Sequence, residues 1–204
     1  MAKIRLGFLA SGRGSNLQAV IDQIQQGLLD AEITCVISDV ENAGALVRAR
    51  DENIPAFTIS GGAAKTKTEP DIERRIVECL EEHQVELVCL AGYMRIVKEA
   101  LLKAFPLRII NIHPALLPSF PGLNVQKKAM NYGVKFSGCT VHFVDEGTDT
   151  GPIIIQAAVP VKDDDTEETL SIRILNEEHR IYSEAIRLIA NKKIHIQGRR
   201  VLTS

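Results

Sequence analysis

The chain has 204 residues, of which 45% are hydrophobic and 25% charged, and its formal net charge is −2. This composition predicts one soluble globular domain over residues 1–204, without the strongly basic surface that nucleic acid attracts. No apolar run approaches the roughly 20 residues that span a bilayer, and the N-terminus lacks the apolar core of a secretory signal. We therefore expect a cytoplasmic protein that binds neither nucleic acid nor membrane.

The cysteines are spread along the chain, each in an apolar segment: Cys35, Cys79, Cys89 and Cys139. They form no Cys-x-x-Cys pair and have no histidine at ligand spacing. The sequence thus predicts buried, reduced thiols and no metal site.

Apolar runs typical of strands alternate along the chain with amphipathic helical stretches. The predicted strands are Ile4–Ala10, Ile33–Ser38, Ala56–Ile59, Leu87–Ala91, Arg108–His113, Phe136–Val144 and Ile153–Val161. The predicted helices are Asn16–Gln26, Ala43–Glu52, Pro70–His83, Lys98–Phe105, Val125–Tyr132 and a long one from Thr166 to about Asn191, which Asp165 or Thr166 can cap. Such alternation predicts an α/β fold, a doubly wound, mostly parallel twisted sheet with helices on both faces. The short connection between the last two strands instead indicates antiparallel pairing.

The first strand ends in a glycine-rich turn, Ser11-Gly12-Arg13-Gly14-Ser15-Asn16, which opens a helix. Glycines let the backbone approach a ligand, and the N–H groups at a helix start favour an anion. The turn is neither a dinucleotide fingerprint nor a P-loop. It is equally consistent with a phosphate site and with a simple turn capped by Ser15 or Asn16.

The strand Arg108–His113 carries Asn111 and His113 two residues apart, on one face. Pro114 then ends the strand and begins a proline-rich loop. An amide donor beside an imidazole suits stabilisation of an oxyanion together with proton transfer. We prefer this interpretation to that of a structural Asn and His.

An acidic turn, Asp145 to Gly151, follows the predicted strand that contains His142. Asp145 and Glu146 are typical of a solvated turn. Asp149 lies next to Gly151-Pro152, at the predicted carboxyl end of a strand, where it could orient His113 and stabilise its protonated form. His142 is more typical of a packed or supporting histidine.

Together these motifs resemble the formyltetrahydrofolate-dependent transformylases. Asn111-Ile112-His113-Pro114 and Asp149-Thr150-Gly151-Pro152 are similar to that superfamily's catalytic signature. The glycine-rich turn, Leu90-Ala91-Gly92-Tyr93-Met94-Arg95-Ile96 and Gly138-Cys139-Thr140-Val141-His142-Phe143-Val144 narrow the resemblance to the glycinamide ribonucleotide formyltransferase family. It extends from about Ile4 to His179.

The resemblance implies formyl transfer from 10-formyltetrahydrofolate, as co-substrate, to the amine of 5-phosphoribosylglycinamide. We expect a monomer or a homodimer. The resemblance implies that Asn111 donates to the oxyanion, that His113 is the general acid and that Asp149 supports His113. The residues it assigns to the ribonucleotide are Gly14, Ser15, Asn16 and Glu178. Those it assigns to the folate are Asn111, Lys67 and the pterin-pocket residues Met94, Arg95, Ile96 and Val97.

Two positions depart from the family or resist alignment. Either Lys65 or Lys67 can meet the folate tail, and Leu175 stands where some relatives have a polar phosphate contact.

The rival interpretations explain the motifs less well. Methionyl-tRNA formyltransferase would need a basic second domain for tRNA, which we do not expect in a chain of net charge −2. Formyltetrahydrofolate hydrolase usually has a regulatory domain and a second histidine where Pro114 stands. A non-catalytic nucleotide-binding module would not need Asn111, His113 and Asp149 together.

Overall fold

The computed structural model describes residues 3–60 and 69–203 of the chain. The chain divides into two compact units, Met1–Asn111 and Ile112–Ser204. The expectation of a single domain over residues 1–204 stays a prediction.

The first unit is built on a parallel sheet with strand order β3-β2-β1-β4-β5. Its strands are β1 (Ile4–Leu9), β2 (Ala31–Ser38), β3 (Ala56–Thr58), β4 (Leu87–Leu90) and β5 (Ile109–His113), the last of which continues into the second unit. Its helices are α1 (Ser15–Gln25), α2 (Gly44–Asp51), α3 (Pro70–Glu82) and α4 (Glu99–Ala104). Every residue of β4 is buried, as the continuous apolar run predicts for a strand covered on both faces.

Close packing between α3 and the sheet depends on a glycine in β1. A Cβ atom on Gly7 would lie 2.6 Å from a methyl carbon of Leu80 and 2.8 Å from one of Val85. The absent side chain thus allows the end of α3 to lie directly on β1, which fixes the position of the strand end that leads to the glycine-rich turn.

The second unit contains α5 (Val125–Tyr132), β6 (Phe136–Phe143), β7 (Ile153–Pro160), α6 (Glu167–Ala190), β8 (Ile194–Gln197) and β9 (Arg200–Thr203). Strands β6 and β7 pair antiparallel, as the short connection predicts. The long helix α6 is capped by Thr166, whose hydroxyl accepts from the backbone N–H of Thr169 while the Thr169 side chain reaches back. This is one of the two caps that the sequence allows.

The α/β class with a mostly parallel, mixed sheet and helices on both faces is confirmed. The bounds of the thirteen elements expected from the sequence differ from the observed ones by no more than two residues. The hairpin of β8 and β9 was not predicted. Among the described cysteines, Cys35, Cys89 and Cys139 are buried, Cys79 is half-buried, and all are free thiols.

Candidate active site

The glycine-rich turn adopts a conformation that requires glycine at one position. Gly14 has φ 73°, in the left-handed region, and a Cβ atom there would lie 2.6 Å from the Cα of Ala45. The start of α2 therefore packs against the turn, and the N–H of Ala45 donates to the carbonyl of Gly12. These contacts fix the turn where β1 leads into α1.

Helix α1 begins at Ser15, with Gly14 as its N-cap and no side-chain cap. The first turn of α1 contains no acidic residue. Asn16 is buried and Ser15 is half-buried. Neither Ser15 nor Asn16 is the N-cap residue of α1, because Gly14 occupies that position. An uncapped helix start without nearby acids on the helix is compatible with an anion.

The segment proposed for the pterin follows β4, at its carboxyl end. Met94 and Ile96 are exposed, with relative accessibilities of 49% and 40%, whereas Val97 is buried. The Arg95 side chain is only 8% exposed, and its Nε donates to Oδ2 of Asp39 at 2.7 Å. The segment thus presents apolar side chains and backbone, while the Arg95 charge is paired inside the unit.

Asn111 and His113 lie two residues apart on β5, as expected, and Asn111 is paired in register with Leu90 of β4. His113 is buried, with a relative accessibility of 5%. Its Nε2 lies 3.0 Å from the carbonyl oxygen of Phe120. Because a carbonyl oxygen only accepts, Nε2 carries the proton in this contact, and the other ring nitrogen is directed elsewhere.

That second nitrogen faces Asp149. Nδ1 of His113 lies 3.4 Å from Oδ2 of Asp149, whose side chain is 12% exposed. The same oxygen accepts a hydrogen bond of 2.8 Å from the N–H of Gly122. The backbone of Asp149 is in the left-handed region, with φ 56°. The structure therefore brings His113 and Asp149 together, as the sequence predicted.

His142 approaches the same carboxylate from β6. Its Nε2 lies 3.7 Å from Oδ1 of Asp149, and its Nδ1 donates to the carbonyl of Phe143 at 2.8 Å. Burial lowers the pKa of His142 below its usual value, although the Phe143 carbonyl and Asp149 act in the opposite direction. A neutral His142 adds no positive charge, so it leaves the negative charge of Asp149 available to His113.

A hydroxyl and an amide fix the proline-rich loop after β5. The Thr140 hydroxyl donates to the Ala115 carbonyl at 2.7 Å and accepts from the Leu117 N–H at 3.1 Å. The side-chain amide of Gln156 donates to Thr140 Oγ1 and to the Leu117 carbonyl, both at 2.9 Å. The Leu117–Pro118 peptide bond within this loop is cis. Thr140 and Gln156 are the loop's anchors, a role that sequence reasoning missed because their contacts with the loop join residues 23 to 39 positions apart.

The other predicted site residues lie on α6 or outside the described residues. Glu178 lies on α6 and is buried. Burial is the main cause that raises the pKa of the Cys139 thiol to about 12, and the charge of Glu178 adds to it. Leu175 lies one turn earlier and is half-buried. Lys65 and Lys67 lie outside the described residues.

Within residues 3–60 and 69–203, no group of three or more His, Cys, Asp and Glu side chains is arranged to hold a metal ion. None of the helices in those ranges is long and apolar enough to cross a membrane.

Comparison with known proteins decides the family. Residues 4–186 match the formyl transferase family. The chain belongs to that family. It is 42% identical over 183 residues to phosphoribosylglycinamide formyltransferase of Bacillus subtilis strain 168, an alignment that covers 90% of this chain and 93% of that protein. The formyl transferase fold is shared with glycinamide ribonucleotide transformylase 1 from Symbiobacterium toebii, at a TM-score of 0.94 and 50% identity, covering 99% of this chain and 94% of that one.

Other relatives of this formyl transferase are much longer. It is 47% identical over 190 residues to the trifunctional purine biosynthetic protein adenosine-3 of Drosophila pseudoobscura pseudoobscura. That alignment covers 92% of this chain and 14% of the longer protein.

Proposed function

We propose that this formyl transferase transfers the formyl group of 10-formyltetrahydrofolate to the amine of 5-phosphoribosylglycinamide, as a step of purine biosynthesis. The observation that carries the proposal is the His113–Asp149 contact next to Asn111 in a chain so similar to the Bacillus protein. 10-Formyltetrahydrofolate supplies the formyl carbon and leaves as tetrahydrofolate. Acyl transfer to an amine needs donors for the oxyanion and a route for protons, rather than a protein nucleophile.

Asn111 and His113 are the proposed catalytic residues, with Asp149 supporting His113. As the amine attacks, negative charge develops on the formyl oxygen, and the Asn111 amide is suited to donate to it. The attacking amine must lose a proton and the leaving nitrogen must gain one. His113 is suited to hold that proton, because its imidazole faces the Asp149 carboxylate at 3.4 Å.

The surroundings of Asp149 favour this use of its charge. His142, the second imidazole at the carboxylate, has its pKa lowered by burial, which favours its neutral form. The Gly122 N–H fixes Oδ2 without neutralising it. The negative charge of the carboxylate is therefore available to a proton on His113 and is not divided between two charged histidines.

For the ribonucleotide we propose that Gly14, Ser15 and Asn16 bind the phosphate, supported by the uncapped start of α1 and the absence of acids in its first turn. Glu178 is the proposed contact to the rest of the ribonucleotide.

For the folate we propose the segment Met94–Val97. Its exposed Met94 and Ile96 suit the apolar face of a pterin, and its backbone offers hydrogen-bonding groups. Lys67 is the proposed partner of the anionic tail, and Lys65 is the alternative.

The test is a formyl-transfer assay with the purified chain, 10-formyltetrahydrofolate and 5-phosphoribosylglycinamide, in which tetrahydrofolate and the formylated ribonucleotide are both quantified. We expect the two products in equal amounts and little tetrahydrofolate when the ribonucleotide is omitted. Release of tetrahydrofolate and formate without the ribonucleotide would indicate a hydrolase instead.

A further inference from the structure

A buried carboxylate in the first unit connects two segments to which the proposed function assigns different ligands. Asp39 follows the end of β2, and its side chain is 7% exposed. It belongs to none of the motifs that point to the family. Its two oxygens bind residues that are distant in the sequence, Ser11, the first residue of the glycine-rich turn, and Arg95 after β4.

The first connection runs through a hydroxyl. The Ser11 hydroxyl donates to Oδ1 of Asp39 at 2.5 Å and accepts from the backbone N–H of Met94 at 2.9 Å. The Ser11 N–H also donates to the Gly92 carbonyl at 3.0 Å. Because the hydroxyl proton is directed to Asp39, the lone pairs of the oxygen face the N–H of Met94. The carboxylate thus makes Ser11 the acceptor in its hydrogen bond with Met94.

The second connection is ionic. Arg95 Nε donates to Oδ2 of Asp39 at 2.7 Å, and both side chains are less than a tenth exposed. A buried guanidinium without its counter-charge is strongly unfavourable, whereas the pair is tolerated. Asp39 therefore determines where Arg95 points and, with it, the course of the backbone between Met94 and Ile96.

We infer that Asp39 is a positioning residue that couples the glycine-rich turn to the segment Met94–Val97. The binding of one substrate then depends on whether the segment that binds the other substrate is held in its ordered conformation. This inference rests on the proposed function for the identity of the two ligands. Asp39 itself need touch neither of them. A carboxylate is required, since only an anion accepts from the Ser11 hydroxyl and compensates Arg95 at the same time.

The decisive variant is Asp39→Asn, which keeps the size of the side chain and removes its charge. We expect the dissociation constants of 5-phosphoribosylglycinamide and of a non-reactive folate analogue both to rise by about fivefold or more, the lower end of typical coupling between sites. The backbone N–H of Met94 should exchange its hydrogen faster in the free protein. Asp22→Asn is the matched control, because it makes the same chemical change in the same unit. Asp22 accepts a hydrogen bond from Gln18 within α1.

Ser11→Ala provides a second test that leaves the Asp39–Arg95 pair in place. It removes only the hydroxyl between Asp39 and Met94, so it tests the connection if Asp39→Asn folds poorly. We expect faster exchange at Met94 and weaker binding of both ligands here too.

Three outcomes would overturn the inference: unchanged binding of both ligands, weakening of only one, or Met94 exchange equal to that of the Asp22→Asn protein. These results are separable from the proposed function. Formyl transfer by the wild-type protein tests that function, and Met94 exchange in the free protein needs no ligand.

Discussion

The imidazole of His113 lies between two acceptors, the carbonyl of Phe120 at Nε2 and the carboxylate of Asp149 at Nδ1, 3.0 and 3.4 Å away. The two acceptors contact different ring nitrogens, so together they fix the orientation of the imidazole. We propose that this contact is how Asp149 supports His113 in proton transfer.

Asp149→Asn should reduce kcat by about 10²–10⁴-fold, the range that positioned acid–base groups contribute. The amide keeps the shape but cannot compensate a positive charge on His113. Because Asp149 does not bind either substrate in our proposal, KM should change much less than kcat. Steady-state kinetics with each substrate varied checks both numbers. Glu146→Gln, an exposed carboxylate in the same turn, is the control and should retain nearly full activity. Equal losses in the two variants would show that the turn, and not the Asp149 charge, matters.

Asn111→Ala should cost about 10²–10³ in kcat, the usual scale for one oxyanion donor. Combining it with His113→Ala should give less than the product of the single effects, since in our proposal both residues act on one intermediate. Circular dichroism and thermal unfolding would establish that the variants fold. Near-normal formyl transfer by Asn111→Ala would contradict the assignment of this amide to the oxyanion.

The cysteines differ in predicted reactivity. The Cys35 hydrogen bond is the main factor that lowers the pKa of the half-buried Cys79 to about 7, with His83 also contributing. Burial raises the pKa of Cys139 to about 12. Iodoacetamide at pH 8 should therefore modify Cys79 first, because a large fraction of it is thiolate there, and Cys139 only after unfolding.

Peptide mass spectrometry of the alkylated protein over a pH series would measure the order and the midpoint. Cys35→Ala should move the midpoint for Cys79 to higher pH. Modification of Cys139 in the folded protein at the same rate as Cys79 would contradict the prediction.

Local patterns in the sequence were sufficient to predict the strand that carries Asn111 and His113 and the turn that carries Asp149. Strand ends of this kind are specified by apolar runs and by Pro114 and Gly151, which act on their immediate neighbours. The roles of Asp39 and Gln156 were not predictable, because their partners are distant in the sequence. The partners of Asp39 are 28 and 56 residues away, and those of Gln156 are 16 and 39 residues away. No periodicity reports such contacts.

The hairpin of β8 and β9 could have been found. Gly198, at φ 62°, lies between Ile194–Gln197, in which apolar and polar residues alternate, and the short apolar-containing segment Arg200–Thr203. The hairpin also reaches the acidic turn, because the Arg199 guanidinium donates to the Thr150 carbonyl at 2.6 Å. It thus supports the turn next to Asp149.

His142 should make the stability of the protein fall as the pH falls. Burial lowers its folded pKa, whereas in the unfolded chain the group titrates near about 6.5. Below that pH the unfolded state takes up a proton that the folded state resists, so the stabilisation present above about 6.5 is lost as the pH falls toward the folded pKa. Urea unfolding at pH 7.5 and 5.5 measures the difference. In His142→Gln, which cannot titrate, the loss between the two pH values should be smaller than in the wild type; an equal loss would assign it to other groups.

The glycine-rich turn offers a comparison between two glycines in the same segment. Gly14 has φ 73° and no room for a Cβ atom against Ala45, whereas a Cβ atom on Gly12 would meet nothing within 4 Å. Gly14→Ala should therefore lower the free energy of unfolding by at least about 1–2 kcal/mol, the cost of a left-handed alanine before any clash is counted. It should raise KM for the ribonucleotide more than KM for the folate, because the start of α1 must shift.

Gly12→Ala is the matched control and should leave both the free energy of unfolding and the two KM values close to those of the wild type. Urea unfolding and steady-state kinetics on the same preparations give both quantities. If Gly14→Ala destabilised the protein yet left KM for the ribonucleotide unchanged, the turn would be structural and the phosphate would have to bind elsewhere. If both variants raised that KM equally, the strained backbone at Gly14 would not be what shapes the site.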